Sequence, residues 1–314
     1  MGFDMTDWNY DTQKLVKKLG GSVIKMAEVS IKCVTTVGDP RENAMLFFTS
    51  KKWKDAYADR LPELKNCFIV TEHSIADAFE CVSDSCCIVA VDNARLYFAK
   101  ALKLIVDSEN SVKKYTPYGC GSFIGENVII GNDCRIEPFV FIDHDVVIGN
   151  GVSIKSGVKI RQNVKIEDNV TIGENSVIGV QGFGVEKDTD GRNIRIPHIG
   201  GVIIKENVEI GALSSIVAGT IHPTVIEKNV FIDDLNHIAH NCQIGEGSML
   251  TAAAQIGGSA AIGADSYISP NATVRNGVSL GKNCFVGQGS SVQQSFGDGV
   301  SLVGNPAREF MRKK

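Results

Sequence analysis

Val140-Phe-Ile142-Asp-His-Asp-Val146-Val-Ile148-Gly-Asn-Gly-Val152-Ser-Ile154-Lys-Ser-Gly-Val158-Lys-Ile160-Arg-Gln-Asn-Val164-Lys-Ile166-Glu-Asp-Asn-Val170-Thr-Ile172 is the stretch that decides the fold. An isoleucine returns every sixth residue, and a valine stands two positions before each one. Alternate residues of a strand point the same way, so both sets face one interior. The Gly, Asn and Asp between them tolerate the positive φ of a tight corner. The pattern runs back to Ile124 and on to Ile178, resumes at Ile204, Ile210 and Ile216, and continues from Ile226 to Val292. A period of six fits neither a helix nor a simple strand. It predicts a hexapeptide parallel β-helix, a triangular prism with 18 residues to the coil. Roughly eight coils at ~4.8 Å each make a rod of ~38 Å.

Residues 1–106 lack the period and predict a small α/β domain. A helix is expected over Asp11–Leu19, strands at Ala44–Thr49 and Cys67–Thr71, and helices at Ser74–Glu80 and Asn93–Ile105. Residues 107–120 read as a linker, 121–296 as the prism, and 297–314 as a short tail with a basic helical turn. Two breaks interrupt the prism. Gly179–Gly201 holds Gly182-Phe183-Gly184 and a charged run to Arg195, and Val217–Val225 adds four residues. Long loops in a solenoid are usually functional.

A net charge of −4 and a pI near 5.9 give no reason to expect a nucleic-acid partner. The nine cysteines form no C-x-x-C pair, and Cys134, Cys242 and Cys284 fall on the small inward position. Free buried thiols and the lack of an apolar run of ~20 residues point to a cytoplasmic protein with no membrane span.

Stacking by coils places Ile238 above Ile216 and below Ile256, so His240 stands at a corner over Ala218 and the four-residue bulge. A near-neutral imidazole there suits general-base work. The spacing disfavours a zinc pair of His237 and His240 within one chain: three residues of strand span ~10 Å, against ~3–4 Å between two ligands of one zinc. An ice-binding rod would need regular exposed threonine ladders, which the chain lacks, and a bare scaffold gives no reason for the Gly-Phe-Gly loop.

The run Val230-Phe-Ile-Asp-Asp-Leu-Asn-His-Ile-Ala-His-Asn-Cys-Gln-Ile-Gly245 resembles the Leu-Asp-Asn-x-x-x-Ile-Ala-His-Asn-x-x-Ile-Gly signature of the UDP-3-O-acylglucosamine N-acyltransferases of lipid A synthesis. Gly182-Phe183-Gly184 with Arg195-Ile-Pro197-x-Ile-Gly200 is similar to that family's Gly-Phe-Gly and Lys-Ile-Pro segments, and Val91–Lys100 to the helix closing its nucleotide-binding domain. The resemblance implies a left-handed parallel β-helix, a homotrimer, and His240 as the base that deprotonates a sugar amine attacking an acyl thioester. It assigns Phe47, Trp53, Phe183, Gly184 and Asp233 to the nucleotide sugar, and Gly258 and Asn276 to the acyl donor, with no metal and no permanently bound cofactor.

Three features depart from the family. Val217-Ala218-Gly219 replaces Asp-Arg-Gly, Asn276-Gly277-Val278 replaces Asn-Gly-His, and no helical extension follows the last hexad. These favour a sister activity, N-acylation of a dTDP- or UDP-linked amino sugar by acyl-coenzyme A. Its phosphates would then meet Lys282, Arg308, Arg312 and the terminal lysines. The alternative is the lipid A enzyme itself, using acyl carrier protein.

Overall fold

The computed structural model describes residues 9–35, 41–49, 58–110, 121–187 and 191–310. The chain divides into two compact units, Met1–Lys114 and Tyr115–Lys314. The first unit is the expected α/β domain. Its sheet orders the strands Ser22–Lys25, Cys87–Val91, Phe68–Glu72, Ala44–Phe48 and Cys33–Val34, antiparallel at the first pairing and parallel thereafter. The first helix, Thr12–Leu19, begins where Asp11 accepts from the Gln13 N–H and ends at Gly20, whose φ of 74° only glycine adopts freely. The region expected as a helix at Ser74–Glu80 is a 3₁₀ segment, His73–Phe79. The last helix runs from Ala94 to Asn110, so it takes the first residues of the expected linker. Its inward residues Tyr97, Ala101 and Ile105 are buried.

The second unit is the prism. Three sheets hold ten, nine and eight strands. The nine-stranded face begins with Phe123–Ile124 and ends with Ser291–Val292; every rung pairs parallel to the next. The isoleucines are the core: Ile160, Ile178, Ile216 and Ile238 are each 0% exposed. Serines share the small inward position, where Ser176 donates to Gly211 O at 2.7 Å and Ser248 to Gly263 O at 3.0 Å. Cys242 and Cys284 are buried there as expected, while Cys134 is only partly buried.

The tail departs from expectation. Ser301–Gly304 joins the ten-stranded sheet, and Ala307–Glu309 folds back antiparallel upon it. Leu302 and Ala307 are buried, so an apolar pair closes the end of the prism where a helical turn was expected. Of the tail, residues 311–314, with Arg312 and the terminal lysines, lie outside the described residues.

Candidate active site

Both breaks in the period meet at one corner. His237 pairs in register with Ser215 and Ile238 with Ile216, which puts His240 over Ala218 as the coil spacing predicts. The four-residue bulge then wraps the residue after His240. Asn241, held at φ 60°, accepts from the Thr220 N–H at 3.1 Å and from the Thr220 hydroxyl at 3.0 Å. Its amide nitrogen donates to His222 O at 2.8 Å, and its own N–H donates to the Thr224 hydroxyl at 2.8 Å. These partners identify Asn241 Oδ1 as the oxygen. His240 Nδ1 lies 3.0 Å from that oxygen and must therefore be the N–H donor. In the neutral ring the lone pair then falls on Nε2, the arrangement a general base needs.

The long break supplies the second wall. It forms a hairpin, Val185–Lys187 against Asn193–Arg195. Arg195 donates to Gly182 O at 2.8 Å and its guanidinium lies 5.9 Å from the centre of the Phe183 ring, which is 82% exposed. His198, at the unspecified position of the Ile-Pro-x-Ile-Gly segment, is 4% exposed, and its ring meets His240 edge-on with centroids 5.3 Å apart. Gln181 grips its main chain from both sides, at 2.8 and 2.9 Å. His198 Nδ1 donates to Ile196 O at 2.9 Å, which leaves Nε2 buried and without a partner among the described residues. Gly182 is needed here, because a Cβ on it would stand 2.4 Å from His198 Nε2, and one on Gly184 would crowd the same ring at 3.1 Å.

Above His240 lies Gly258. A Cβ there would stand 2.6 Å from His240 Nε2, so only glycine lets the imidazole take its place. The Gly258 N–H donates to Asn276 Oδ1 at 3.1 Å. A cleft of about 350 Å³ opens on this face, lined by His237, Gln255, Gly257, Thr273, Arg275 and Asn276 among others. Burial holds the His237 imidazole below its ordinary titration range, so it stays neutral in the cleft.

The expected residues divide accordingly. His240, Phe183, Gly184, Gly258 and Asn276 gather around this corner. Asp233 does not. It sits at the preceding corner, accepting from the Asp234 N–H at 2.8 Å, because Phe231–Ile232 belongs to a different face from His237–Ile238. Lys282 and Arg308 do not line the cleft either: Lys282 occupies a corner beside Asp298, and Arg308 lies on the closing strand. The cation of the cleft is Arg275. In the first unit Phe47 is 37% exposed and its ring packs against that of Phe98, tilted by 38° with centroids 4.6 Å apart; Trp53 lies outside the described residues. No three His, Cys, Asp or Glu side chains among the described residues gather as a metal-holding group. Asn241, His198 and Arg275 were not singled out from sequence. The first two stand inside quoted motifs, while Arg275 needs the coil register to be placed.

The six-repeat bacterial transferase hexapeptide family matches residues 145–179, 223–258 and 259–294. A UDP-3-O-acylglucosamine N-acyltransferase of Coxiella burnetii is 32% identical over 274 residues, covering 80% of this chain and 75% of the relative. Among solved structures, the UDP-N-acetylglucosamine acyltransferase of Campylobacter jejuni superposes with a TM-score of 0.55 at 25% identity, covering 60% of this chain and 72% of that one. LpxA of Acinetobacter baumannii shares the fold, with a TM-score of 0.58 at 21% identity over 62% and 74% of the two chains. With its hexad prism, its Ile-Ala-His-Asn corner and this likeness along most of its length, the chain belongs to the UDP-3-O-acylglucosamine N-acyltransferase family.

Proposed function

We propose that the protein transfers an acyl group from a pantetheine thioester to the amino group of a UDP-linked glucosamine derivative, the chemistry for which its relatives are named. One observation carries the reading: His240 Nδ1 lies 3.0 Å from the Asn241 side-chain oxygen, which turns Nε2 toward Gly258 on the next rung, beside the cleft lined by Ala239 and Gly257. The amine nitrogen attacks the thioester carbonyl and the N–C bond forms. His240 Nε2 takes the amine proton as the tetrahedral intermediate develops. The C–S bond then breaks, and the imidazolium returns its proton to the departing sulfur. The Gly258 N–H, one rung up, is the backbone donor for the oxyanion once the carbonyl oxygen replaces Asn276 Oδ1. The 32% likeness over 80% of the chain supports the UDP-3-O-acylglucosamine acceptor over the dTDP-sugar and acyl-coenzyme A pairing expected from the departures in sequence. A second acceptor, an amino sugar on dTDP or UDP without the 3-O-acyl chain, rests on Val217 and Ala218. At 4% and 2% exposure they place no polar side chain where the family's Asp-Arg stands.

The test is mass-spectrometric detection of N-acylated product from these acceptors, with 3-hydroxyacyl and short acyl groups on coenzyme A and on acyl carrier protein. Product from UDP-3-O-acylglucosamine is expected, and His240→Asn should lower turnover by about 10²–10⁴-fold. A variant with near-native turnover, or no product from any pairing, overturns the reading.

A further inference from the structure

The first unit carries a pair of thiols that acyl transfer does not use. Cys67 and Cys86 each stand one residue before a strand, Phe68–Glu72 and Cys87–Val91, and these strands run parallel with Phe68 opposite Cys87. That register sets Cys67 opposite Cys86, and the Cys87 N–H donates to Cys67 O at 2.9 Å. Both thiols lie on one face of the sheet, packed with Leu46, Phe48, Ile69 and Ile88, while Phe68 and Cys87 lie on the other. Facing residues of neighbouring strands stand ~4.8 Å apart, inside the ~4.4–6.8 Å between the Cα atoms of a disulfide. The sulfurs also lean together over one turn. Cys86 Sγ accepts from the Cys67 N–H at 3.4 Å and lies 3.4 Å from Leu64 O, while Cys67 Sγ lies 3.2 Å from Lys65 O. The hydrogen bond between the two thiols brings Cys86 down to about 7, helped by the Cys67 N–H, the Ser85 hydroxyl and the Lys25 ammonium, and pushes Cys67 up. One thiol is thus a nucleophile near neutral pH, and the other stands beside it.

We infer that Cys67 and Cys86 are an oxidation site, closing into a reversible disulfide when the protein meets a peroxide. The Cys86 thiolate attacks one peroxide oxygen, the O–O bond breaks, and hydroxide leaves with the proton that Cys86 gave up. Cys86 is then a sulfenic acid. The Cys67 sulfur displaces its hydroxyl group, the S–S bond forms, and the Cys67 proton leaves with that oxygen as water. Two thiols and one peroxide give one disulfide and two waters. Both side chains are 0% exposed, which shields them from larger reagents. They lie just inside turns whose Lys65 and Asp84 are exposed, so a peroxide of nearly the size of water needs only a local opening to arrive.

Peptide mapping of the full chain tests this without any substrate. The folded protein is treated with hydrogen peroxide, its remaining thiols are alkylated in denaturant, and it is cleaved before aspartate. Cuts before Asp77, Asp84 and Asp92 put Cys67, Cys81 and Cys86 in separate peptides. Mass spectrometry should find the Cys67 and Cys86 peptides joined, with two of the nine thiols lost and both regained in dithiothreitol. After the same treatment Cys86→Ala should keep Cys67 as a free thiol. A chain unfolded in urea before the peroxide is added serves as the control should that variant fail to fold, and it should give a mixture of pairings. The exposed Cys81 reports that the oxidant was sufficient. The inference is overturned if Cys81 is oxidised while Cys67 and Cys86 stay free, if Cys86 joins any other cysteine instead, or if the folded and unfolded chains give the same mixture.

Discussion

Asn241 is the residue on which the chemistry of His240 depends. Its oxygen accepts from two Thr220 donors and from His240 Nδ1, so the imidazole has one tautomer available. Asn241→Gly keeps the positive φ and removes the acceptor. Turnover should fall by on the order of tenfold or more, with donor KM little changed, as wrong-tautomer variants of other bases show. Asn241→Asp keeps the acceptor and adds a negative charge beside the ring. That favours the imidazolium, so the acid limb of the kcat/KM profile should move to higher pH. Steady-state pH profiles of both variants, with melting temperatures as a folding control, decide the matter. An Asp variant whose limb does not move would show that the contact is packing alone.

At the scale of elements, the prism is a stack of short strands separated by corners that need the left-handed region. Asparagine and aspartate fill many of these corners, among them Asn127, Asn169, Asn229 and Asp265. Leu235 breaks the rule with φ 62° while its side chain is 53% exposed. A leucine in that conformation costs ~1–2 kcal/mol. Leu235→Asn should therefore stabilise the protein by about 1 kcal/mol, read as a higher urea midpoint at unchanged m-value. A lower midpoint would mean that the leucine makes contacts outweighing its strain. The two interruptions of the stack are elements of another kind. The hairpin brings His198, the bulge brings Thr220 and Thr224, and both converge on a corner that regular coils would have left bare.

For the whole molecule, the cleft on a single prism is open and shallow, and a pantetheine arm laid along it meets protein on one side only. A neighbouring prism would close it. A homotrimer with the reaction at each junction is the expected assembly, measurable by light scattering at micromolar concentration. A fully active monomer would refute it. No helix among the described residues is long and apolar enough to cross a membrane.

The coils were legible because burial repeats: each inward isoleucine obeys the same constraint as the one 18 residues before it, so a linear period reports a three-dimensional stack. The place of His240 followed from that same arithmetic. The arithmetic ended wherever a contact joined residues that are not in register. His198 reaches His240 across 42 positions through a hairpin whose sequence carries no period. Asn241 was visible as a letter in a motif, but its role appeared only when the bulge surrounded it with donors. Lys282 and Arg308 looked suitable as charges near the end of the chain, and the fold sent them to a corner and a closing strand, while Arg275 came into the cleft. Local periodicity determined the prism and the level of the base along it. Which side chains share a corner was decided by the loops, whose paths depend on tertiary hydrogen bonds rather than on any repeat.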